Sequence, residues 1–308
     1  MYFTAEHPIG RADCEPDLYG PAGLPLFAQT AERAGFTAIA FTEHPAPSLK
    51  WLRGGGHATL DPVAALSFVA ASTTSLAVMP YLLVLPYRNP LLAAKSIVSL
   101  DVLSGGRLIV AAGGGYLRSE FSALGADFDE RGALFDEALE VLSGVCTNEE
   151  FHYAGSRFSA RGVTMVPGPA QRPHPPVWIG GNGRNARRRV ARFGQGWSPL
   201  VTSEEVAATT RMPAITDVTR LADYIDDLRQ LVAEAGRDPA SIAIQVLSPH
   251  SALVEAAVSA ERLHDHIGEL AGAGVTHFVV RTPAHSVAAA TGALTWFGEE
   301  FIEKEKTP

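Results

Sequence analysis

The chain has 308 residues, of which 46% are hydrophobic and 19% charged, and its net charge is −8 from 25 basic and 33 acidic side chains. Such a composition builds a large core and excludes a disordered chain, while the acidic balance argues against nonspecific binding to nucleic acid or to an anionic membrane. No apolar run reaches about 18 residues, the N-terminus MYFTAEHPIG lacks the basic and apolar regions of a signal peptide, and the two cysteines, Cys14 and Cys146, have no metal-binding spacing. A cytoplasmic protein with free thiols, no membrane partner and no nucleic-acid partner is therefore expected.

Strand and helix patterns alternate along the chain. Tyr2–Glu6 reads as a short apolar strand ending in Glu6-His7, and Gly10–Gly23 as a loop. Leu24–Ala34 has apolar residues at helical spacing, with Gly35 as its stop. The strand Thr37–Phe41 ends in Thr42-Glu43-His44, and Pro45–Leu60 is expected as a long loop. Asp61 caps a helix over Pro62–Thr73, with Pro62 at its first position. The nearly continuous apolar run Ser75–Leu85 fits a strand buried on both faces. A helix over Leu91–Leu103 and a strand over Arg107–Ala112 lead into Gly113-Gly114-Gly115-Tyr116. Leu117–Phe128 is short and mixed, and Glu130–Cys146 is an amphipathic helix. Thr147–Pro175 reads as an excursion with two β-like patches, Phe151–Tyr153 and Phe158–Val166. The main pattern resumes with Val177–Ile179 as the fifth strand, Gly194–Leu200 as the sixth, Ile242–Leu247 as the seventh and Thr276–Arg281 as the eighth. Helices are expected over Asp217–Ala235, Arg262–Ala273 and Val287–Phe301, a lid over Val201–Thr216, and a frayed tail at EKEKTP.

Eight strand–helix units predict one α/β domain over residues 1–308, a closed (β/α)8 TIM barrel with an insertion after strand 4. The alternative, a doubly wound open sheet, lacks a GxGxxG turn after its first strand.

The stretch PVWIGGNGRN, from Pro176, has a chemistry of its own. A short strand feeds Gly180, Gly181, Asn182 and Gly183, and an arginine-dense helix opens at once. Glycines let backbone N–H groups approach a ligand, and a helix start adds unpaired donors and a positive dipole end, so the expected ligand is a phosphate. The spacing is not that of a P-loop, and a plain strand–helix turn is the alternative. Arg184, Arg188 and Arg192 recur at helical spacing on one face with Arg187 alongside; they form either a cradle for an acidic cofactor tail or a solvated face.

In a barrel the site lies at the C-terminal ends of the strands. Those ends supply Glu6-His7, Thr42-Glu43-His44, Leu82 to Arg88, Gly113 to Tyr116, Gly180 to Gly183, Trp197, Ser248 to His250 and Arg281-Thr282. His44 is the sharpest candidate for a general acid or base, with a structural histidine as the alternative. Glu43 either orients it or is an ordinary loop acid. Two Glu-His pairs leave a metal hydrolase open as a further alternative, but glycine turns after the fourth and fifth strands suit a large planar or phosphorylated ligand better. No metal is expected.

Three stretches together resemble the luciferase-like flavin and deazaflavin oxidoreductase superfamily: AERAGFTAIAFTEH; the block from VLPYRNP through SGGR, GGGY, E-F-x-x-L-G and F-D-E-R-G; and PPVWIGGNGRNARRRVARFGQGWSP. The resemblance covers nearly the whole chain and is strongest to the branch that uses the deazaflavin coenzyme F420. It implies a cofactor across the C-terminal face of the barrel, its ring near Thr42, His44, Tyr81 and Leu82 and beside Gly113, Gly114, Gly115 and Tyr116. The phosphate would lie near Gly180, Gly181, Asn182, Gly183 and Arg184, and Trp197 belongs to the same contact set. The resemblance also implies a non-proline cis peptide within Tyr81–Leu83. His44 and Glu43 are the expected catalytic residues. The leading expectation is an F420-dependent oxidoreductase moving a hydride to or from a small organic substrate. The alternatives are an FMN-dependent monooxygenase, supplied with reduced flavin by a reductase partner, and a non-catalytic flavin-binding barrel. A homodimer is the expected assembly.

Overall fold

The computed structural model describes residues 1–8, 15–252 and 259–303. Eight parallel strands close into a barrel. In chain order the strands are β1 (Tyr2–Glu6), β2 (Ala38–Phe41), β3 (Ala77–Val84) and β4 (Val110–Gly113), then a hairpin of β5 (Phe151–Ala154) and β6 (Ser159–Val163), then β7 (Val177–Gly180), β8 (Gly196–Ser198), β9 (Ala243–Val246) and β10 (His277–Arg281). Around the barrel they run β1-β2-β3-β4-β7-β8-β9-β10, and β10 closes on β1 with Glu6 opposite Arg281. The antiparallel hairpin β5–β6 stands outside this ring, so the expected insertion after the fourth barrel strand is present.

Helices α1 (Gly23–Arg33), α3 (Pro62–Ser72), α4 (Pro90–Leu103), α6 (Arg131–Thr147), α7 (Arg184–Phe193), α9 (Val218–Glu234), α10 (Ala260–Gly272) and α11 (Val287–Phe297) surround the strands. Three short helices, α2 (Leu49–Arg53), α5 (Arg118–Ala123) and α8 (Glu204–Thr210), lie in the loops at the mouth. Two of these correct the sequence reading. Ser48 accepts from the Trp51 N–H and starts α2 inside the expected long loop; Ser203 likewise caps α8 inside the expected lid. The lid segment is also tied down, because Ile215 is fully buried and its carbonyl accepts from the Thr202 N–H at 2.8 Å. A turn with a single cap and one buried anchor leaves almost no periodic signal in sequence.

Alternation along the strands divides the core in two. Ile39, Phe41, Val78, Val110, Ala112, Val177 and Ile179 point outward into the layer shared with the helices. Ala40, Met79, Tyr81, Ala111, Trp178, Leu247 and Val279 point inward and fill the barrel. Small inward residues on β2 and β4 leave room for Met79, Tyr81 and Trp178, as a closed eight-strand barrel requires. Cys146 is buried, and burial pushes its thiol up to about 11, which makes it unreactive. Cys14, part of the Gly10–Gly23 loop and the tail after Glu303 lie outside the described residues. No helix among the described residues is long and apolar enough to cross a membrane.

Glu32, near the end of α1, staples the start of β3. Its carboxylate accepts from the N–H groups of Ser75 at 2.6 Å, Thr74 at 2.8 Å and Leu76 at 3.1 Å, and from the Ser75 hydroxyl at 2.9 Å. Burial works against the charge, but these donors prevail and lower its pKa from 4.5 to about 2. A depressed folded-state pKa stabilises the fold above the unfolded value and loses that effect as pH falls through the folded one. Glu32→Gln should therefore melt below the wild type at neutral pH, and the gap should shrink steadily from about pH 4.5 down to about pH 2. Thermal melts across that range check this; a gap independent of pH would contradict it.

Candidate active site

The upper layer of the barrel interior is polar. Thr4 donates to Gln245 Oε1 at 2.8 Å, and Ser198 meets the Tyr81 hydroxyl at 3.2 Å. Burial pushes the Tyr81 phenol up to about 12, so it stays protonated. The expected non-proline cis peptide lies between Tyr81 and Leu82. Leu82 then lies across two glycines. A Cβ on Gly180 would come within 2.1 Å of its Cδ1, and one on Gly113 within 2.9 Å. Those two glycines thus make room for Leu82. Gly115 has φ +74° and packs against Val84 and Phe121, which shapes the loop that carries Tyr116.

His44 follows β2 and sits in a cluster that the sequence reading did not assemble. Its Nδ1 meets Glu120 Oε2 at 3.2 Å, and Glu120, on α5, is fully buried. Glu120 also accepts from the Tyr87 hydroxyl at 2.8 Å and from the Ala46 N–H at 3.3 Å. Burial, reinforced by Glu120, holds the Tyr87 phenol well above its ordinary pKa, so it remains a donor. A carboxylate on Nδ1 fixes the tautomer that carries its proton there and leaves Nε2 as the exchanging nitrogen. The His44 ring packs against Trp51 of α2 at 4.4 Å, His57 at 4.9 Å and Tyr116 at 6.0 Å. Burial pushes the Tyr116 phenol up to about 12.

Glu43 points the other way. It accepts from the Val84 N–H at 2.6 Å and pairs with Arg88, and it is buried. Those partners commit it to holding the turn after β3, which places it apart from the His44–Glu120 pair. The two Glu-His pairs do not converge either. Glu6 pairs with Arg281, while His7 stacks on Phe41 and meets the Leu18 carbonyl at 3.0 Å, with burial lowering its pKa to about 4. Among the described residues no group of three or more His, Cys, Asp or Glu side chains is arranged for a metal.

The glycine turn after β7 is held from behind. Trp197 is fully buried in the outer core, and its indole N–H donates to the Gly181 carbonyl at 2.9 Å. It supports the turn and does not face the mouth, contrary to its place in the expected contact set. Arg187 donates to the Asn182 carbonyl at 2.7 Å and to Asp227 at 2.6 Å. C=O and N–H of one trans peptide point in opposite directions, so the N–H groups of Asn182 and Gly183 face away from these anchors. The Asn182 side chain is also committed, to Leu200 and to the Pro213 carbonyl. Helix α7 opens at Gly183 without a side-chain cap, so its first-turn donors lack that partner.

The arginine face divides. Arg192 pairs with Glu140 and Arg189 with Asp136, both on α6; Arg184 and Arg188 are exposed at the start of α7, and Arg184 lies 3.9 Å from Asp227. Further guanidinium groups gather beside the turn. Arg118, Arg131 and Arg211 lie 4.2, 4.0 and 5.3 Å from the ring centre of Phe128, with Asp129 as a single acid on Arg118. Arg211 leads into Pro213, whose ring lies beside Gly183.

The profile of the luciferase-like monooxygenase family matches residues 10–303. The chain belongs to the luciferase-like monooxygenase family. Within it, the chain is 32% identical over 169 residues to an FMNH2-dependent dimethylsulfone monooxygenase of Pseudomonas putida, covering 54% of this chain and 45% of that protein. It is 28% identical over 235 residues to an F420-dependent glucose-6-phosphate dehydrogenase of Segniliparus rotundus, covering 72% of this chain and 68% of that one. The chain spans about half the length of the first curated relatives it matches. An F420-dependent secondary alcohol dehydrogenase shares the fold, with a TM-score of 0.78 at 16% identity over 97% of this chain and 98% of its own. Flavin- and deazaflavin-dependent luciferase-like enzymes both stand among the relatives.

A cofactor of that type fits the residues present in this family member. The uncapped start of α7 suits a phosphate, and Thr42 Oγ1 at the end of β2 is a buried polar atom with no partner among the described residues. Sequence reasoning missed Glu120, Trp51 and Tyr87. Glu120 stood in the quoted E-F-x-x-L-G segment, and its place in that segment was the available signal.

In Glu120→Gln the three donors face one carbonyl oxygen, and His44 loses its anionic partner. The 15N shifts of its imidazole should move from a single Nδ1–H tautomer toward a mixture, and stability should fall by about 1–3 kcal/mol. An unchanged 15N pattern would show that Glu120 does not set the tautomer.

Proposed function

We propose that the protein is an F420-dependent oxidoreductase that moves a hydride between the deazaflavin and a small organic substrate. The observation that carries this reading is the buried His44–Glu120 pair at the mouth of the barrel, a proton-transfer group of fixed tautomer. When bound, the deazaflavin supplies or accepts the hydride. His44, through Nε2, gives or takes the accompanying proton at a substrate oxygen. Glu120 holds the imidazole in its orientation. Tyr87 and Ala46 keep Glu120 in place. Trp51, His57 and Tyr116 close around the ring of His44 and exclude water from it. Thr42, Tyr81, Leu82 and the Gly113–Tyr116 loop would border the cofactor ring, and the backbone of Gly181–Gly183 its phosphate.

The choice of F420 over FMN rests on charge. Arg184 and Arg188 are exposed at the start of α7 beside the glycine turn, and Arg118, Arg131 and Arg211 gather around Phe128, in a chain whose net charge is −8. A longer acidic tail suits that patch. The FMN-dependent monooxygenase is the second reading, favoured by the higher identity to the dimethylsulfone monooxygenase. It requires a reductase partner.

Titration of the apoprotein with F420 and with FMN, followed by fluorescence, separates the two. F420 should bind more tightly, and neutralising Arg184, Arg188 and Arg211 together should weaken it by about tenfold or more while changing FMN far less. Micromolar binding of FMN alone, or equal losses for the two, would overturn the choice of cofactor. His44→Ala should keep cofactor affinity and lose turnover by about 100- to 10,000-fold against a panel of small alcohols and carbonyl compounds. Full turnover would remove His44 from the chemistry.

A further inference from the structure

Glu43 and His44 are neighbours in sequence, and they reach the same turn by two different routes. Glu43 Oε2 accepts from the Val84 N–H at 2.6 Å, and Glu43 Oε1 pairs with Arg88. Val84 and Arg88 flank the two ends of a single 3-10 turn, Leu85–Tyr87. Tyr87, inside that turn, donates its hydroxyl to Glu120 Oε2 at 2.8 Å, the same oxygen that meets His44 Nδ1 at 3.2 Å. His44, Glu120, Tyr87, the turn and Glu43 therefore form a closed ring, which the peptide bond between Glu43 and His44 completes.

The far side of this ring carries the strain of holding a short turn. One turn of 3-10 helix has poor hydrogen-bond geometry, and here the Arg88 N–H reaches the Leu85 carbonyl only at 3.3 Å. Glu43 supplies what the turn lacks: an acceptor at its entry and a counter-charge at its exit. Glu43 is 4% exposed; burial pushes its carboxyl upward, and Arg88 pulls it back. The Tyr87 phenol feels the charge of both Glu120 and Glu43. Two buried carboxylates thus flank one tyrosine, and Arg88 pairs with the one that His44 does not use. The Arg88 side chain is 26% exposed, so its head group can be changed without emptying the core.

We infer that Arg88 is a positioning residue for the proton-transfer pair: it holds Glu43 across both ends of the turn, which sets the Tyr87 hydroxyl on Glu120 and, through Glu120, the hydrogen bond of His44. Without Arg88 the Glu43 carboxylate is buried and uncompensated, a strongly disfavoured state. It takes up a proton or swings toward water, and the turn follows it. Glu120 Oε2 then loses Tyr87 and keeps His44 alone. An oxygen that accepts from one donor holds it more closely than one shared between two. The inference rests on reading His44 as the proton-transfer group, but the ring of hydrogen bonds needs no cofactor and is tested without one.

The test is 1H–15N NMR of the full chain labelled at histidine, with no cofactor added. In Arg88→Met the His44 Nδ1–H proton should move downfield, and Arg88→Lys, which keeps the charge, should return it to the wild-type position. Tyr87→Phe alone should give the same shift. Arg88→Met added to Tyr87→Phe should move the proton no further, because the link it acts through is gone; a general loss of packing would add in both backgrounds. Should Arg88→Met fail to fold, Glu43→Gln takes its place, since it keeps an acceptor for Val84 and loses the ion pair. Against the panel of alcohols and carbonyl compounds, Arg88→Met should lower kcat by about tenfold with KM nearly unchanged. A proton position that Arg88→Met leaves in place, or one that moves as far again in the Tyr87→Phe background, would overturn the role of Arg88. If the NMR cycle holds but His44→Ala keeps full turnover, the proposed chemistry fails and the positioning of His44 by Arg88 stands.

Discussion

The site depends on one buried carboxylate. Glu120 has no exposure, and a carboxylate in that position is tolerated only when its oxygens are occupied by donors. Its three donors come from three separate places: the His44 imidazole after β2, the Ala46 N–H in the following loop, and the Tyr87 hydroxyl after β3. α5 supplies the acceptor. The loops of three consecutive barrel strands thus meet at one group. That convergence fixes the position of His44 relative to Tyr116, and it explains why an apparently irregular segment, Leu117–Phe128, carries so much of the architecture at the mouth.

A parallel logic operates on the opposite side, where support comes from behind. The arginines of α7 make it look like a binding face, yet four of the five meet carboxylates of the fold. Arg187 ties the glycine turn to Asp227, while Arg189 and Arg192 tie α7 to α6. Trp197 takes the Gly181 carbonyl from the outer core. These contacts consume the carbonyls of Gly181 and Asn182, and the Gly181 N–H donates to the Ser198 carbonyl at 3.3 Å, which leaves the N–H groups of Asn182 and Gly183 on the opposite side. Rigid support of this kind lets a backbone site hold its geometry without a ligand.

Much of the barrel was legible because its signals are periodic and local. Apolar runs gave the strands, and Asp61, Gly35 and Gly274 marked helix ends at places where caps and positive φ occur. The site was legible only in part. His44 stands at a strand end, which sequence can locate, but Glu120 lies 76 residues away, and only tertiary packing brings it to Nδ1. Glu43 and Trp197 stand at strand ends too, yet their side chains serve the outside of the barrel. Position along a strand says that a residue is near the mouth. Facing depends on parity at the strand end, where the chain leaves regular geometry.

Charge is unevenly distributed around the mouth. The chain is acidic overall, but around the mouth its ionisable groups are sorted by strand. Beside β7 the positive charge is in excess, with Arg184 and Arg188 exposed and three guanidinium groups around Phe128 sharing one Asp129. At the ends of β1 and β10, Glu6 and Arg281 form an ion pair. His44, after β2, stands between these two regions, with the buried Glu120 as its anionic partner.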